Sequence, residues 1–173
     1  YYLDHSNKSA LKQHFPQLAN SIDIVADGRN AFYTDKGNFA CAPKSKPSLI
    51  LHELGHATNF EKSKIMKGLQ KLRVAGMFAP MAIAYLNRAS GERSDGKKNF
   101  WERNAGTIGF CAFLPTIIEE AAASIRGIKA AKETLGAKAN LKALKKNYFL
   151  AWMTYLLAGI GTGIAAKLMI TKD

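Results

Sequence analysis

His52, Glu53 and His56 fall in the run Ser48-Leu-Ile-Leu-His-Glu-Leu-Gly-His-Ala-Thr-Asn59, which has the form H-E-x-x-H and contains no proline. On a helix the two imidazoles stand at i and i+4, so both project from one face within reach of a single metal ion. Glu53, next to the first histidine, is placed to meet a metal-bound water rather than the metal itself. Catalytic zinc takes three protein ligands and leaves one position for water. The pKa of that water falls from about 15.7 toward about 7, and a carboxylate such as Glu53 can take its proton. A surface helix that happens to carry two histidines would show the same letters. Against it, the chain has only four histidines and two of them fall at ligand spacing. Gly55, Ala57, Leu51 and Leu54 also suit a buried helix.

Two imidazoles need a third ligand, and the remaining choices are His5, His14 and the carboxylates. His5 and His14 lie in residues 3–20, an amphipathic helical pattern with Leu3, Leu11, Phe15 and Leu18, interrupted near Pro16. A lone histidine on such a helix is usually an ordinary surface side chain. Glu119-Glu120-Ala-Ala-Ala-Ser124 stands out as an acidic pair in an apolar context. An ionised carboxylate buried there is costly unless it is paired or binds a metal. Glu120 is the first choice and Glu119 the second. An acidic first turn facing a helix dipole is the reading that needs no metal.

The elements that must carry these groups follow from pattern. Residues 22–28 alternate and end at Asp27-Gly28, as a strand and turn do. Residues 30–34, the turn Asp35-Lys-Gly37 and residues 38–42 read as a hairpin, giving a small antiparallel sheet. Ser48 is a plausible N-cap for the H-E-x-x-H helix. A strand edge at Asn38, Phe39, Ala40 and Cys41 beside a metal would hold an extended peptide by main-chain hydrogen bonds. The helix is expected to continue past Asn59 through the Lys-rich run to Arg73.

Val74–Asn87 and Gly106–Ile118 are uncharged, separated by the polar loop Arg88–Arg103. Both are shorter than the roughly 18 to 20 residues of a full span. They fit buried core helices, a re-entrant hairpin, or spans extended by snorkelling Arg73, Arg88 and Arg103. Glu119–Leu135 reads as an alanine-rich helix, and Gly136–Lys146 as a basic amphipathic piece. Tyr148–Ala166 has nineteen residues without a formal charge, with Tyr148, Trp152 and Tyr155 near its start, as interfacial aromatics are. Gly159 and Gly163 give a G-x-x-x-G spacing that permits close helix contact. Residues 148–170 are therefore the transmembrane helix candidate, the core helix of a soluble protein being the alternative.

The totals fit this division. A chain of 173 residues that is 47% hydrophobic is long enough for a real core and is not disordered. It begins Tyr1-Tyr2-Leu3-Asp4 without Met, as a fragment or processed product does. The net charge of +12 points to an anionic lipid surface, since Lys and Arg flank the apolar stretches. A nucleic-acid partner is the other source of such a charge, but no basic motif with interleaved aromatics or zinc-ribbon spacing is present, so no specific nucleic acid is expected. Cys41 and Cys111 form no disulfide framework and no C-x-x-C pair, and read as free thiols.

Three local features resemble the gluzincin metallopeptidases that include the CAAX prenyl protease and the bacterial heat-shock membrane protease. Asn30-Ala31-Phe32 precedes a hairpin, as that family's N-A-F segment does. His52-Glu53-Leu54-Gly55-His56 is the family's usual zinc motif. Glu120-x-x-Ala123-Ser124 corresponds to the downstream E-x-x-A-D, whose Glu is the third zinc ligand. Membrane members of the family also carry apolar segments between the two motifs. The resemblance covers residues 22–130 and implies a membrane zinc endopeptidase whose site faces the cytoplasm. Ser124 stands where the family has the Asp that orients a zinc-bound histidine; a serine still hydrogen-bonds but brings no charge. Arg126 and Tyr33 are the candidate oxyanion donors.

The expected fold is α+β: a mostly helical, zincin-like (minimal gluzincin) domain over 1–146 with a small antiparallel sheet, apolar membrane-embedded segments at 74–87 and 106–118, and the helix at 148–170. The expected activity is hydrolysis of peptide or protein substrates at a lipid membrane. In it Zn²⁺ is held by His52, His56 and Glu120, and Glu53 is the general base. One alternative is a catalytically silent zincin-fold subunit of a membrane complex, motivated by Ser124 and the short chain. Another is a basic membrane-surface or nucleic-acid-binding protein whose H-E-x-x-H is accidental.

Overall fold

The computed structural model of the chain describes residues 23–25, 30–36, 39–43, 48–91, 95–136 and 140–171. The helical pattern over 3–20, with His5 and His14, and the hairpin residue Asn38 lie outside them. The described elements are β1 (Asp23–Val25), β2 (Phe32–Thr34), β3 (Phe39–Cys41), α1 (Ser48–Lys62), α2 (Lys64–Ala89), α3 (Phe100–Leu135) and α4 (Leu141–Ile170). Among the described residues the protein is thus mostly helical with one small sheet, as expected for an α+β chain. It divides into two compact units that interleave in sequence. The first is Tyr1–Lys67 with Glu119–Trp152, and the second is Gly68–Ile118 with Met153–Asp173. The apolar stretches at 74–87 and 106–118 fall in the second unit, with the C-terminal part of α4.

In the first unit the sheet order is β1-β3-β2. β2 pairs antiparallel with β3, Phe32 opposite Cys41 and Thr34 opposite Phe39. β1 pairs parallel with β3, Asp23 opposite Phe39 and Val25 opposite Cys41. The sheet is mixed, not wholly antiparallel, and chain lengths explain why. The short turn between β2 and β3 forces antiparallel neighbours, whereas the longer link between β1 and β2 can cross two strand spacings, about 10 Å. One expectation is corrected by this order. Phe39, Ala40 and Cys41 have a neighbour on each side, so β3 offers no open edge; the outer strands are β1 and β2.

α1 packs on β2 and β3. Ile50, Leu54 and Ala57 recur at i, i+4 and i+7 and join Ala40, Ala42 and Ala130 in the core cluster. His52, His56 and Asn59 repeat the same spacing on the opposite face, and α1 is buried there too from His56 to Asn59. The helix does not run on to Arg73. Ser63 interrupts it, accepting the Met66 N–H on its hydroxyl at 3.2 Å and so capping α2. Glycine sets the contact between α1 and α3. A Cβ on Gly55 would lie 2.3 Å from the Ala123 carbonyl oxygen, and one on Gly127 would lie 3.0 Å from that of Leu51. The two backbones touch because neither position carries a side chain.

In the second unit, Gly91 ends α2 with φ 67°, the left-handed conformation that stops helices. Asn99 and Glu102 then form a reciprocal cap for α3, with Glu102 N–H donating to Asn99 Oδ1 at 2.9 Å and Asn99 N–H donating to Glu102 Oε2 at 2.7 Å. α3 continues for 36 residues past Pro115, so the apolar stretch and the acidic pair share one helix. Within this unit α3 and α4 approach closely: a Cβ on Gly163 would stand 2.6 Å from the Gly106 carbonyl oxygen, and one on Gly109 would stand 2.8 Å from Ala166 Cβ. Gly163 of the G-x-x-x-G pair is used as its spacing implies. Ala79, Ile83, Ala105, Ala166 and Ile170 form this unit's core. Among the described residues two helices, Phe100–Glu133 and Leu141–Ile170, are long and apolar enough to cross a membrane. Both cysteines are free thiols, Cys41 buried and Cys111 exposed.

Candidate metal centre

α1 supplies two histidines one turn apart, and the crossing at Gly55 and Ala123 brings α3 against the same face. His52 Nε2 lies 3.0 Å from His56 Nε2 and 3.1 Å from Glu120 Oε2, and His56 Nε2 lies 3.5 Å from the same oxygen. These three atoms are close enough together to hold one metal ion. A tetrahedral ion with ligands at about 2.0–2.1 Å keeps them about 3.3 Å apart, and the observed edges bracket that value. The donor set fits on chemistry as well: two imidazoles and one carboxylate suit a borderline divalent ion and leave further positions open. Of the two acids, Glu120 is the one whose oxygen joins the imidazoles.

Each histidine turns Nε2 inward because its Nδ1 is engaged elsewhere. Ser124 Oγ lies 3.2 Å from His52 Nδ1. The serine is thus within hydrogen-bond distance of the His52 ring nitrogen that does not join the three converging atoms. His56 Nδ1 lies 2.8 Å from both carboxylate oxygens of Glu119. Glu119 is thus an outer partner that fixes a ring, the arrangement that strengthens histidine as a ligand. Its own oxygen accepts from Asn59 Nδ2 at 3.0 Å, and Asn59 Oδ1 accepts from Arg126 Nε at 2.6 Å. Arg126 therefore supports the site through Asn59 and Glu119 and is not aimed at the three converging atoms through Nε.

Glu53 is buried on the same helix and lies within electrostatic reach of the Tyr148 phenol. Tyr148 is itself buried. Its ring meets the His52 ring edge to face at 5.4 Å, and its hydroxyl donates to the Ser48 carbonyl. Tyr33 sits on β2 with its ring 6.3 Å from that of Phe60. Among the described residues its hydroxyl has no hydrogen-bond partner. Burial, then the charges of Glu61 and Asp35, push its pKa up to about 12.

Sequence reasoning passed over Asn59, read Tyr148 as an interfacial aromatic and not as a site residue, and placed Glu119 only as the second-choice ligand. For Asn59 a signal was present, since it continues the His52, His56 spacing by another turn. For Tyr148 nothing local distinguishes a site residue from a membrane-boundary aromatic.

Burial of His56 alone would lower its pKa, but the hydrogen bonds and charges of Glu119 and Glu120 together outweigh it and raise it to about 9. In the metal-free protein this histidine is protonated at neutral pH, and an ion must displace a proton to bind. Metal affinity is therefore expected to rise up to about tenfold per pH unit toward pH 9 and then level. Calorimetry in buffers of differing ionisation heat should record about one proton released per ion at pH 7. The metal-free stability has the opposite slope. A folded pKa above the unfolded 6.5 stabilises fully below 6.5 and is lost as pH rises through about 9.

No protein-family model, curated protein or solved structure matches this chain.

Proposed function

We propose that the chain is a membrane-associated zinc-dependent endopeptidase. The observation that carries this reading is the convergence of His52 Nε2, His56 Nε2 and Glu120 Oε2 beside a buried Glu53 on the same turn of helix. His52, His56 and Glu120 would hold Zn²⁺. When bound, it supplies Lewis acidity that makes water a nucleophile near neutral pH. Glu53 takes the proton of the attacking water and returns it to the leaving amine. Ser124 and Glu119 keep the imidazoles turned inward. The outer strand β2, which packs on α1, is the surface against which an extended peptide would lie, in place of β3. α3 and α4 supply the membrane association. In this reading the site would face the cytoplasm, as the family resemblance implies; positive charge lies on every polar segment, so the positive-inside bias adds little to that orientation.

The test is metal content with turnover, on detergent-purified full-length protein. The wild type is expected to carry one zinc per chain and to cleave members of a broad peptide library. Glu120→Ala is expected to lose zinc affinity by more than about 100-fold, the upper range for losing an outer partner alone. Absence of zinc from the wild type at neutral pH would end this reading. Stoichiometric zinc with no cleavage would replace it with the catalytically silent subunit.

A further inference from the structure

The first turns of α4 belong to the same unit as the metal centre. Leu141 and Leu144 pack on that unit's core cluster, and Tyr148 continues their row at spacings of three and four. Over residues 141–150 Tyr148 is the one buried side chain. A buried aromatic where helices meet ordinarily needs no role beyond filling space. What sets Tyr148 apart is what it touches.

Its ring lies against the His52 imidazole, with centroids 5.4 Å apart and planes at 66°. Its hydroxyl donates to the Ser48 carbonyl, and the His52 backbone, through its N–H, meets the same oxygen. Those two backbone groups are the acceptor and donor of one i to i+4 step in the first turn of α1. One tyrosine therefore meets a single ligand residue twice, at its backbone and at its ring. The slot that admits the ring depends on a glycine. A Cβ on Gly127 would stand 3.0 Å from Tyr148 Cε2 and 3.0 Å from the Leu51 carbonyl oxygen. Tyr148 is thus wedged between α1 and α3, the two helices that share the ligand set.

His52 is the ligand that needs such a hold. Its side chain is 14% exposed, against 8% for His56 and 2% for Glu120. At its Nδ1 stands the Ser124 hydroxyl, where His56 has the Glu119 carboxylate. A neutral hydrogen bond is weaker than a charge-assisted one. His52 therefore has the most room to turn its Nε2 away from the other two donor atoms, and the Tyr148 ring fills part of that room. A ligand already held in its bound orientation also loses less freedom when the ion arrives.

We infer that Tyr148 is the positioning residue of His52: its ring holds the imidazole toward His56 and Glu120, and its hydroxyl fastens that ring to the first turn of α1. α4 is then a part of the metal centre. The inference rests on the metal centre of the proposed function and adds a residue which that reading does not use.

The test uses the full chain in detergent, with zinc affinity read by chelator competition. The absorption spectrum of the Co²⁺-loaded protein reports coordination geometry. Tyr148→Leu is expected to lose zinc affinity by about tenfold or more, the lower range for removing an outer partner of a ligand, and to change the cobalt spectrum. Tyr148→Phe keeps the ring; it should keep the wild-type spectrum and lose less affinity than Tyr148→Leu. Leu144→Ala is the control for packing alone, since Leu144 fastens the same face of α4 to the core cluster. It should lower the unfolding midpoint and leave both metal readouts as in the wild type. Wild-type affinity and spectrum in Tyr148→Leu overturn the inference. So does Leu144→Ala reproducing both changes, because Tyr148 would then only hold α4 in place. A cobalt spectrum altered in Tyr148→Phe overturns it too, as the ring is still present, and that arm stands even where Tyr148→Leu fails to fold. A wild type that takes up neither ion ends the metal reading itself, before any variant is compared.

Discussion

Glu53→Gln is expected to retain metal and lose peptide hydrolysis by about 10²- to 10⁴-fold, the range that a positioned general base supplies. The amide has the shape of the carboxylate, so the buried position stays filled and α1 keeps its packing. What disappears is the capacity to accept a proton. The three atoms that converge belong to His52, His56 and Glu120, so this substitution removes none of them, and metal content should match the wild type. Glu120→Ala fails in the other order, with metal lost first and turnover as a consequence. Measuring metal content and kcat on the same preparations separates the two. An unchanged kcat in Glu53→Gln with metal bound would remove Glu53 from the chemistry, whatever the ion does. A kcat that falls only in proportion to lost metal would make Glu53 a structural residue of the centre.

The part of this centre that could be read from sequence is the part fixed by one helix. The spacing of His52 and His56 determines that they share a face, and the cost of burying a charge singles out the Glu119, Glu120 pair before any partner is known. Which acid touches which imidazole is decided by the crossing of α1 and α3, more than sixty residues apart in sequence. The crossing sends Glu120 to the Nε2 side and Glu119 to His56 Nδ1. Arg126 was legible as a polar group near the site, but its connection through Asn59 depends on the same crossing. Strand order was out of reach for a different reason. Three-residue strands carry too little alternation to say which lies in the middle, so β3 could be taken for an edge. The break at Ser63 was hidden because Ser followed by a Lys-rich run suits a helix interior and a helix start almost equally. Membrane-helix composition was readable over 148–170, whereas α3 conceals its apolar half by running on without interruption into the acidic pair.

Gly55→Ala tests that crossing directly, and two effects of opposite sign decide its outcome. Alanine is favoured over glycine in a helix interior by about 1 kcal/mol, so a solvent-facing glycine in α1 would gain stability. At Gly55 the added Cβ would stand 2.3 Å from the Ala123 carbonyl oxygen and 2.9 Å from its carbonyl carbon and Cα. These are backbone atoms of a long helix and cannot turn aside as a side chain can. Forced overlap of this kind costs about 1–3 kcal/mol or more, which exceeds the gain in propensity. The overlap is relieved by moving α1 away from α3, and those helices carry the two halves of the ligand set. Gly55→Ala should therefore lower the unfolding midpoint and weaken metal binding together, although no ligand is altered. Gly68→Ala is the matched control, because a Cβ there meets nothing within 4 Å, and it should be neutral or stabilising with metal affinity unchanged. Thermal unfolding in detergent and chelator competition read the two quantities. If Gly55→Ala matched Gly68→Ala in both, the contact that brings Glu120 to the histidines would have to be abandoned, and the metal centre with it.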